Sequence, residues 1–476
     1  MRSRLINPFV LVFFQITIFA NIAFAQSLTD SLSFGSFISY VLKNHPVAKQ
    51  ANTLPDVAKA QIRFTRGNFD PTINTETNSK QYDAKNYYRY WDSWLKVPVW
   101  LGPDIKAGFE RNTGFFLSDE TATPSEGLIY AGISWPVGRS LWMDERRAAL
   151  KQALQMADMN EAEKVSIINK LILEAAKDFW NWEMAYYRYR QLTIAQELAE
   201  VRFTAVKQRV IGGDEAAIDS VEAKIFLLDR KNLKLQAFVD FQNSIIRLGN
   251  YLWSDEQRPL NLDTTIVPAF NRFINRNVNA AAMQTLIEEA KRNHPKLVAL
   301  NTKINIFEIE QQLLRNNLLP ALHIDYNFIN TPAEFNMNSV TETAFRNNYK
   351  FGMSLYYPLL LRKERGKLQM NTLKIYQTKQ DLTQTERDII NNIESTFNEY
   401  LTYSSQLIIQ QEQVELTNLL LNGERDKFFN GESTLFLVNT REVTMINAEL
   451  KQIDLRNKVS KTLSELYWSA GQSLLE

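Results

Sequence analysis

The sequence predicts an α+β membrane protein in which long helical rods join antiparallel β-strands of outer-membrane-barrel type, the whole built as two internal repeats. Three observations predict it. First, all 14 prolines of the 476-residue chain lie outside 137–258 and 359–476. Proline inside a helix costs about 3 kcal/mol, so two proline-free spans of ~120 residues, rich in Ala, Leu, Glu, Lys, Gln and Arg, read as helix. Second, landmarks recur at a nearly fixed offset. "RGNFDP" at Arg66–Pro71 returns as "RNNLLP" at Arg315–Pro320, and "KNHP" at Lys43–Pro46 as "RNHP" at Arg292–Pro295, both 249 residues on. Third, "ALHIDYNFINT" and "NYKFGMSLYYP" alternate apolar and polar residues with period two, as strands do.

The repeat extends along the chain. "DERR" at Asp144–Arg147 matches "KERG" at Lys363–Gly366 at offset 219. Beyond it the offset is 218: Ile172, Ala175, Phe179 and Trp182 pair with Ile390, Ile393, Phe397 and Tyr400, Gly213 with Gly431, and Leu248 with Leu466. The drop of 30 places about 30 extra residues between Pro71 and Glu145 of the first copy. Self-similarity of this kind dictates architecture and is read before local detail.

The elements follow in order. Arg2 and Arg4, an apolar run from Phe9 to about Phe19 and Ala23-Phe24-Ala25 form a secretory signal over 1–25, with Gln26 as the expected mature start. The first repeat, 26–258, holds a helix over about 30–66, a β region over about 71–137, a long helix over about 139–208, a turn at Gly212-Gly213 and a helix over about 216–250. A linker covers 259–279. The second repeat, 280–476, holds a helix over about 280–316, a hairpin over about 320–358, a long helix over about 361–426, a turn near Gly431 and a helix over about 433–468. At 1.5 Å per residue the long helices measure about 100 Å. Ile168, Ile172, Ala175, Phe179, Trp182, Tyr186 and Tyr189 step by alternating fours and threes, a coiled-coil seam whose aromatics serve core packing rather than a ligand cage.

In the first copy the strands read as "TINTETNSKQY" (72–82), "DIKAGFERNTGFF" (104–116) and "LIYAGISWP" (128–136). Runs of nine to eleven alternating residues with aromatics suit an outer-membrane barrel, and also a small soluble hairpin at a rod end. The secretory signal and the lack of any further run of 18 apolar residues favour the barrel, because only helices and closed barrels span lipid. Pro71 and Pro320 then mark the corners where a rod becomes a strand: proline stops the helix and extends its predecessor, and Asn68 and Asn317 suit a helix C-terminal turn. The inserted "YYRYWDSWLKVPVWLG" (Tyr87–Gly102) reads as an interface belt, an extracellular cap or additional strands.

Composition excludes several classes. At 45% hydrophobic and 22% charged the chain is an ordinary folded protein, and a net charge of +1 argues against a dedicated nucleic-acid binder. There is no cysteine, hence no disulfide, thiol nucleophile, thiolate metal site or N-terminal lipid anchor. His45 and His294 are equivalent residues of the two "NHP" turns, and His323 is the only other histidine. With dispersed carboxylates, no phosphate-binding loop and no nucleophile elbow, no catalytic residue, cofactor or metal site is assigned.

The doubled "NHP…P" entry, the "G-x-S…P" exit ("GISWP", "GMSLYYP") and the segments "RVIGGDEAAIDSVEAK" (Arg209–Lys224) and "KFFNGESTLFLVNTRE" (Lys427–Glu442) resemble the TolC-like outer-membrane efflux family over nearly the whole mature chain. No one motif is specific; their doubled order is. The resemblance implies a homotrimer in the cell outer membrane, each protomer giving four strands to a twelve-stranded barrel and its helices to a long periplasmic barrel. It implies a passive export duct serving a periplasmic adaptor and an inner-membrane efflux pump or type I secretion system. By position, Arg209, Gly213, Lys427 and Gly431 would be the adaptor-contacting tip turns. The family's acidic gate positions correspond here to Leu437 and Thr440, and Asp219 and Glu222 in the first copy are the other candidates for lining the tunnel mouth; a solvated helix face is the plainer reading of that acidic pair. The other function class compatible with the rods is a periplasmic coiled-coil structural or adaptor protein without a membrane-spanning barrel.

Overall fold

The computed structural model describes residues 31–139, 141–269, 278–333 and 347–473, so the expected signal at 1–25 lies outside the described residues. The elements are β1 (Ser31–Leu32), α1 (Phe34–Asn44), α2 (Pro46–Arg66), β2 (Thr72–Tyr82), β3 (Lys85–Pro98), β4 (Asp104–Thr113), β5 (Leu128–Gly138), α3 (Glu145–Gly212), α4 (Ala217–Gly249), β6 (Val267–Pro268), α5 (Ala280–Asn293), α6 (Pro295–Asn316), β7 (Ala321–Asn330), β8 (Tyr349–Tyr356), α7 (Arg362–Phe429) and α8 (Leu435–Ser469). Each of α3 and α7 runs 68 residues. None of the described helices is long and apolar enough to cross a membrane.

The expected helices 30–66 and 280–316 are each divided by histidine. His45 and His294 sit extended before a proline, and each Nδ1 accepts the N–H two residues on, from Val47 and Lys296, at 3.2 Å. Proline at the first helical position forfeits no hydrogen bond, so both "NHP" turns are helix starts. Burial and the nearby Lys296 hold the His294 imidazole down at a pKa of about 4, so it stays neutral and keeps its acceptor.

The chain forms two compact units, to both of which α3 and α7 contribute. One draws its described residues from Leu42–Glu174, Asn277–Ser405 and Lys461–Glu476. It contains a six-stranded sheet of order β2-β3-β4-β5-β7-β8, every neighbouring pair antiparallel. The four strands per protomer that the resemblance implies are thus exceeded: residues before α3 supply four, one more than the three segments read from the sequence there. Most of the inserted stretch forms the strand β3, the added-strand alternative, hairpinned to β4 with ten residue pairs from Arg89↔Thr113 to Pro98↔Asp104. In this unit α6 lies against both α3 and α7: Gln152 donates to the Ile306 carbonyl at 3.4 Å and Asn371 to the Phe307 carbonyl at 2.9 Å.

The corners turn without left-handed residues. Asn317 is right-handed (φ −66°, ψ −12°), and its side-chain oxygen accepts from Arg139 Nε at 2.7 Å. At the other corner a short 3-10 turn, Gly67–Phe69, leads to an extended Asp70 before Pro71. Asparagine here serves as a side-chain acceptor and not as the αL cap its type suggests.

The second unit draws its described residues from Met1–Val41, Ala175–Arg276 and Gln406–Ser460. Its core is aromatic. Phe34 stacks on Trp180 at 4.6 Å, Phe37 and Phe34 both meet Phe179 at 5.4 Å, and Phe179 meets Trp182 at 5.5 Å. Tyr186 and Tyr189 each lie 5.8 Å from Phe241 of α4. The expected linker 259–279 is folded where described: β6 pairs parallel with β1, and Leu262 and Ile266 are buried.

Candidate functional site: a two-faced sheet and paired helix turns

Strand periodicity sorts the sheet into two faces, and the register can be followed across all six strands. One row runs Ile73, Leu95, Ala107, Ala131, Phe328, Tyr349, each the direct partner of the next, and is apolar throughout. Its neighbour, on the opposite face, runs Thr72, Lys96, Lys106, Gly132, Asn327, Lys350. Side chains alternate across a sheet, so one face is apolar along this row and over β5, β7 and β8, with polar residues such as Thr75, Thr77 and Arg111 on its β2–β4 side, and the other is charged. On the apolar face of β8, Phe351, Met353 and Leu355 are 56%, 65% and 68% exposed. Nothing among the described residues covers them.

The charged face carries a cross-strand network. Lys106 Nζ of β4 lies 3.6 Å from Asp325 of β7, and Lys350 Nζ of β8 lies 3.6 Å from Glu110 of β4. Tyr130 of β5 donates its O–H to Asp92 of β3 at 2.8 Å. A cavity of ≈ 220 Å³ is lined by Asp92, Trp94, Lys106, Glu110, Tyr130, Asn327, Ile329 and Lys350. Glycine at 108 makes room, since a Cβ there would sit 2.6 Å from the Tyr130 ring. At the base of the sheet Arg146 of α3 bridges Asp104 at 2.9 Å and Asp144 at 3.3 Å, fastening the β3–β4 turn to the start of the helix. Sequence reasoning missed this network: its members sit on strands whose register only the fold reveals.

In the second unit the two long helices end alike. Asp214 N–H donates to the Arg209 carbonyl at 2.9 Å and Gly213 N–H to Val210 at 3.2 Å; Glu432 N–H donates to Lys427 at 2.8 Å and Gly431 N–H to Phe428 at 3.1 Å. These are two Schellman caps, with Gly213 (φ +83°) and Gly431 (φ +79°) in the left-handed position. The basic residue four before each glycine is the carbonyl that accepts the outer cap bond. Arg209 also pairs with Glu215 at 2.9 Å and lies 6.0 Å over the Phe428 ring, joining the two turns.

The four mouth candidates separate. Asp219 is half-buried and its carboxylate accepts the Ala216 N–H at 3.2 Å, capping its own helix. Glu222 is also half-buried and accepts from Asn439 at 3.3 Å, so it departs from the solvated-face expectation. Leu437 and Thr440 of α8 are exposed. Behind the turns, sequence reasoning missed a network over four helices. Arg202 donates to Asn439 at 2.7 Å and to Glu442; Arg425 lies 3.6 Å from Glu442, and Arg441 3.7 Å from Glu424. Asn439 and Glu442 are buried, and offset arithmetic on a single sequence carries no signal for them.

No group of three or more His, Asp or Glu placed to hold a metal occurs among the described residues. Long paired helices attached to an antiparallel sheet with one apolar and one charged face define the architecture of the TolC-like outer-membrane channels, and the chain is similar to them. The family model for outer membrane efflux proteins matches residues 286–472. Among solved structures, the outer-membrane channel OprN superposes with a TM-score of 0.63 at 14% identity, covering 92% of this chain and 90% of that one. The Campylobacter jejuni CmeC outer membrane channel gives 0.62 at 11% identity, covering 92% and 85%. The open state of the Neisseria gonorrhoeae MtrE outer membrane channel gives 0.61 at 14%, covering 93% and 89%. No curated protein matches the chain.

Proposed function

We propose that this chain is an outer-membrane channel, a homotrimeric passive export duct that a periplasmic adaptor couples to an inner-membrane efflux pump or a type I secretion system. The observation that carries the reading is the sheet: one face presents an exposed apolar surface over β5, β7 and β8, while the other gathers Asp92, Lys106, Glu110, Asp325 and Lys350 where a wet lumen would run. A soluble protein would pack such an apolar face against a core, whereas here Phe351, Met353 and Leu355 stay exposed, as lipid-facing residues of a barrel are. The two halves are read as copies of one unit.

Arg209, Gly213, Lys427 and Gly431 are assigned to adaptor contact. Support comes from the exposed apolar residues around them, Ile211, Ile218, Phe429 and Phe436, which give a partner helix something to cover. Leu437 and Thr440 are assigned to the tunnel mouth with Asp219 and Glu222, the latter two acting from within a hydrogen-bonded frame. The test is extraction and copurification. The protein should leave membranes only with detergent, run as a trimer, and bring crosslinked adaptor with it. A detergent-free, monomeric soluble protein overturns the reading.

A further inference from the structure

We infer that this chain closes an eighteen-stranded barrel, in which the outer edge of β2 pairs antiparallel with the outer edge of β8 from a second copy, three copies making the ring. The inference rests on the trimeric-channel reading and deepens it, because the resemblance alone implies four strands per protomer and twelve in all.

The first argument is that the inserted hairpin belongs to the sheet. β3 pairs with β2 over eleven residues and with β4 over ten, and β4 pairs with β5 over seven, from Asp104↔Ser134 to Glu110↔Leu128. Two adjacent rows pass through it, Leu95 and Ala107 continuing the apolar one and Lys96 and Lys106 the charged one. The network ties it to the flanking strands through Tyr130–Asp92, Lys106–Asp325 and Lys350–Glu110. Removing the hairpin would unpair all three.

The second argument is direction. Six strands alternate in sense from β2 to β8, so the two edges run opposite ways. Copies related by rotation about one axis therefore meet β2 against β8 in antiparallel register, a heterologous contact that closes into a ring. Neither edge has another strand neighbour among the described residues. In lipid an open edge leaves backbone N–H and C=O groups unsatisfied at several kcal/mol each. β8 is not blunted as an edge in water would be: it carries no proline and no bulge, and its apolar face is exposed along its length. A second copy supplies hydrogen bonds to the edge and, with the stagger that barrel closure requires, sets Ile73 of its β2 beside the apolar face of β8.

The third step is size. Barrel diameter grows roughly linearly with strand number, so eighteen strands make a lumen about 1.5 times as wide as twelve. Barrels of this strand number leave an aqueous channel.

The absence of cysteine makes the edge contact directly testable. Four double variants pair Thr75→Cys or Thr77→Cys on β2 with Phe351→Cys or Met353→Cys on β8. Oxidised in native membranes, at least one pair should give dimer and trimer bands that reductant abolishes, and single-cysteine variants should give none. No crosslink from any pair, or only an intrachain bond, overturns the inference. A reconstruction of the unmodified, detergent-extracted protein counts the strands independently. Eighteen supports it; a trimer with twelve, the β3–β4 hairpin lying outside the wall, sinks it while leaving the channel reading intact. A protein with no membrane-embedded oligomer overturns the channel reading instead. Polymer exclusion from the open pore should show a cut-off radius about 1.5-fold that of a twelve-stranded channel, and an equal cut-off counts against it.

Discussion

Lys350 of β8 reaches Glu110 of β4 across two intervening strands, their charges 3.6 Å apart. Side chains standing upright on a flat sheet would not meet over three strand spacings, about 14 Å; they meet because the sheet curls toward its charged face. The cavity they line holds two carboxylates, Asp92 and Glu110, against Lys106 and Lys350, and Asp325 pairs with Lys106. Under the channel reading, Lys350→Ala should therefore shift the pore toward cations, raising the cation-to-anion permeability ratio several-fold in bilayer reversal potentials, with salt screening the change. Stability should move by less than about 1 kcal/mol, since Lys350 is largely exposed. An unchanged reversal potential would place this face away from the ion path.

The two tip glycines make a matched pair of predictions. Around Gly213 and Gly431 there is open space where a side chain would go, so substitution meets no clash. The cost comes from the left-handed backbone alone. Gly213→Ala and Gly431→Ala should each destabilise their turn by about 1 kcal/mol. Hydrogen exchange should quicken at Gly213 and Asp214, or at Gly431 and Glu432, whose N–H groups make the cap bonds. Equal exchange in variant and parent would contradict the cap assignment.

Glu442 is buried and accepts from Arg202 while Arg425 stands 3.6 Å away. Removing one member of a buried ion pair is costlier than removing the pair, because the remaining charge is left unpaired. Glu442→Ala should loosen the ends of α3, α7 and α8 by about 3 kcal/mol of local opening, and Glu442→Ala with Arg202→Met by distinctly less. A double-mutant cycle read by hydrogen exchange measures the coupling; additivity would refute the network.

Leu437 lies exposed on α8, one helical turn before Thr440. Under the tunnel-mouth assignment a trimer presents three copies around the axis. Leu437→Asp should then reduce the resting leak or make conductance sensitive to divalent cations, while thermal stability stays within about 0.5 kcal/mol of the parent. Conductance indifferent to the substitution removes Leu437 from the aperture.

How much of this was legible in the sequence depends on the range of the physics involved. Helices, turns and corners are local: proline exclusion, a glycine at C′ and proline after a helix act within a few residues, so Gly213, Gly431, Pro71 and Pro320 announced themselves. β3 did not. Its stretch Tyr87–Gly102 carries aromatics on both faces, Tyr88 and Tyr90 on one and Trp91 on the other, which blurs the period-two signal. Glu222 looked like a solvated carboxylate because its partner Asn439 lies 217 residues away. The cross-strand pairs Lys106–Asp325 and Tyr130–Asp92 depend on register, which arises from the whole sheet and has no local spelling.

Glu183 on α3 faces a cavity of ≈ 210 Å³ lined by Trp180, Met184, Tyr187, Gln191, Glu449, Gln452, Ile453, Arg456 and Asn457. Burial raises its pKa to about 7, the charge of Arg456 offsetting only part of the effect; burial also raises Glu449 across the cavity. A carboxyl with a raised folded-state pKa binds its proton more tightly when folded than when unfolded. The native state then holds the extra proton between the unfolded value near 4.5 and about 7, so stability falls as pH rises through that window and stays low above it. Glu183→Gln keeps the shape and removes the charge. It should leave stability unchanged at pH 4 and raise it at pH 8, by up to about 3 kcal/mol. Thermal or denaturant unfolding of the detergent-solubilised protein across pH 4–8 checks this. The parent's curve should slope downward where the variant's does not, and parallel curves would mean that Glu183 ionises as freely in the native protein as in the unfolded chain.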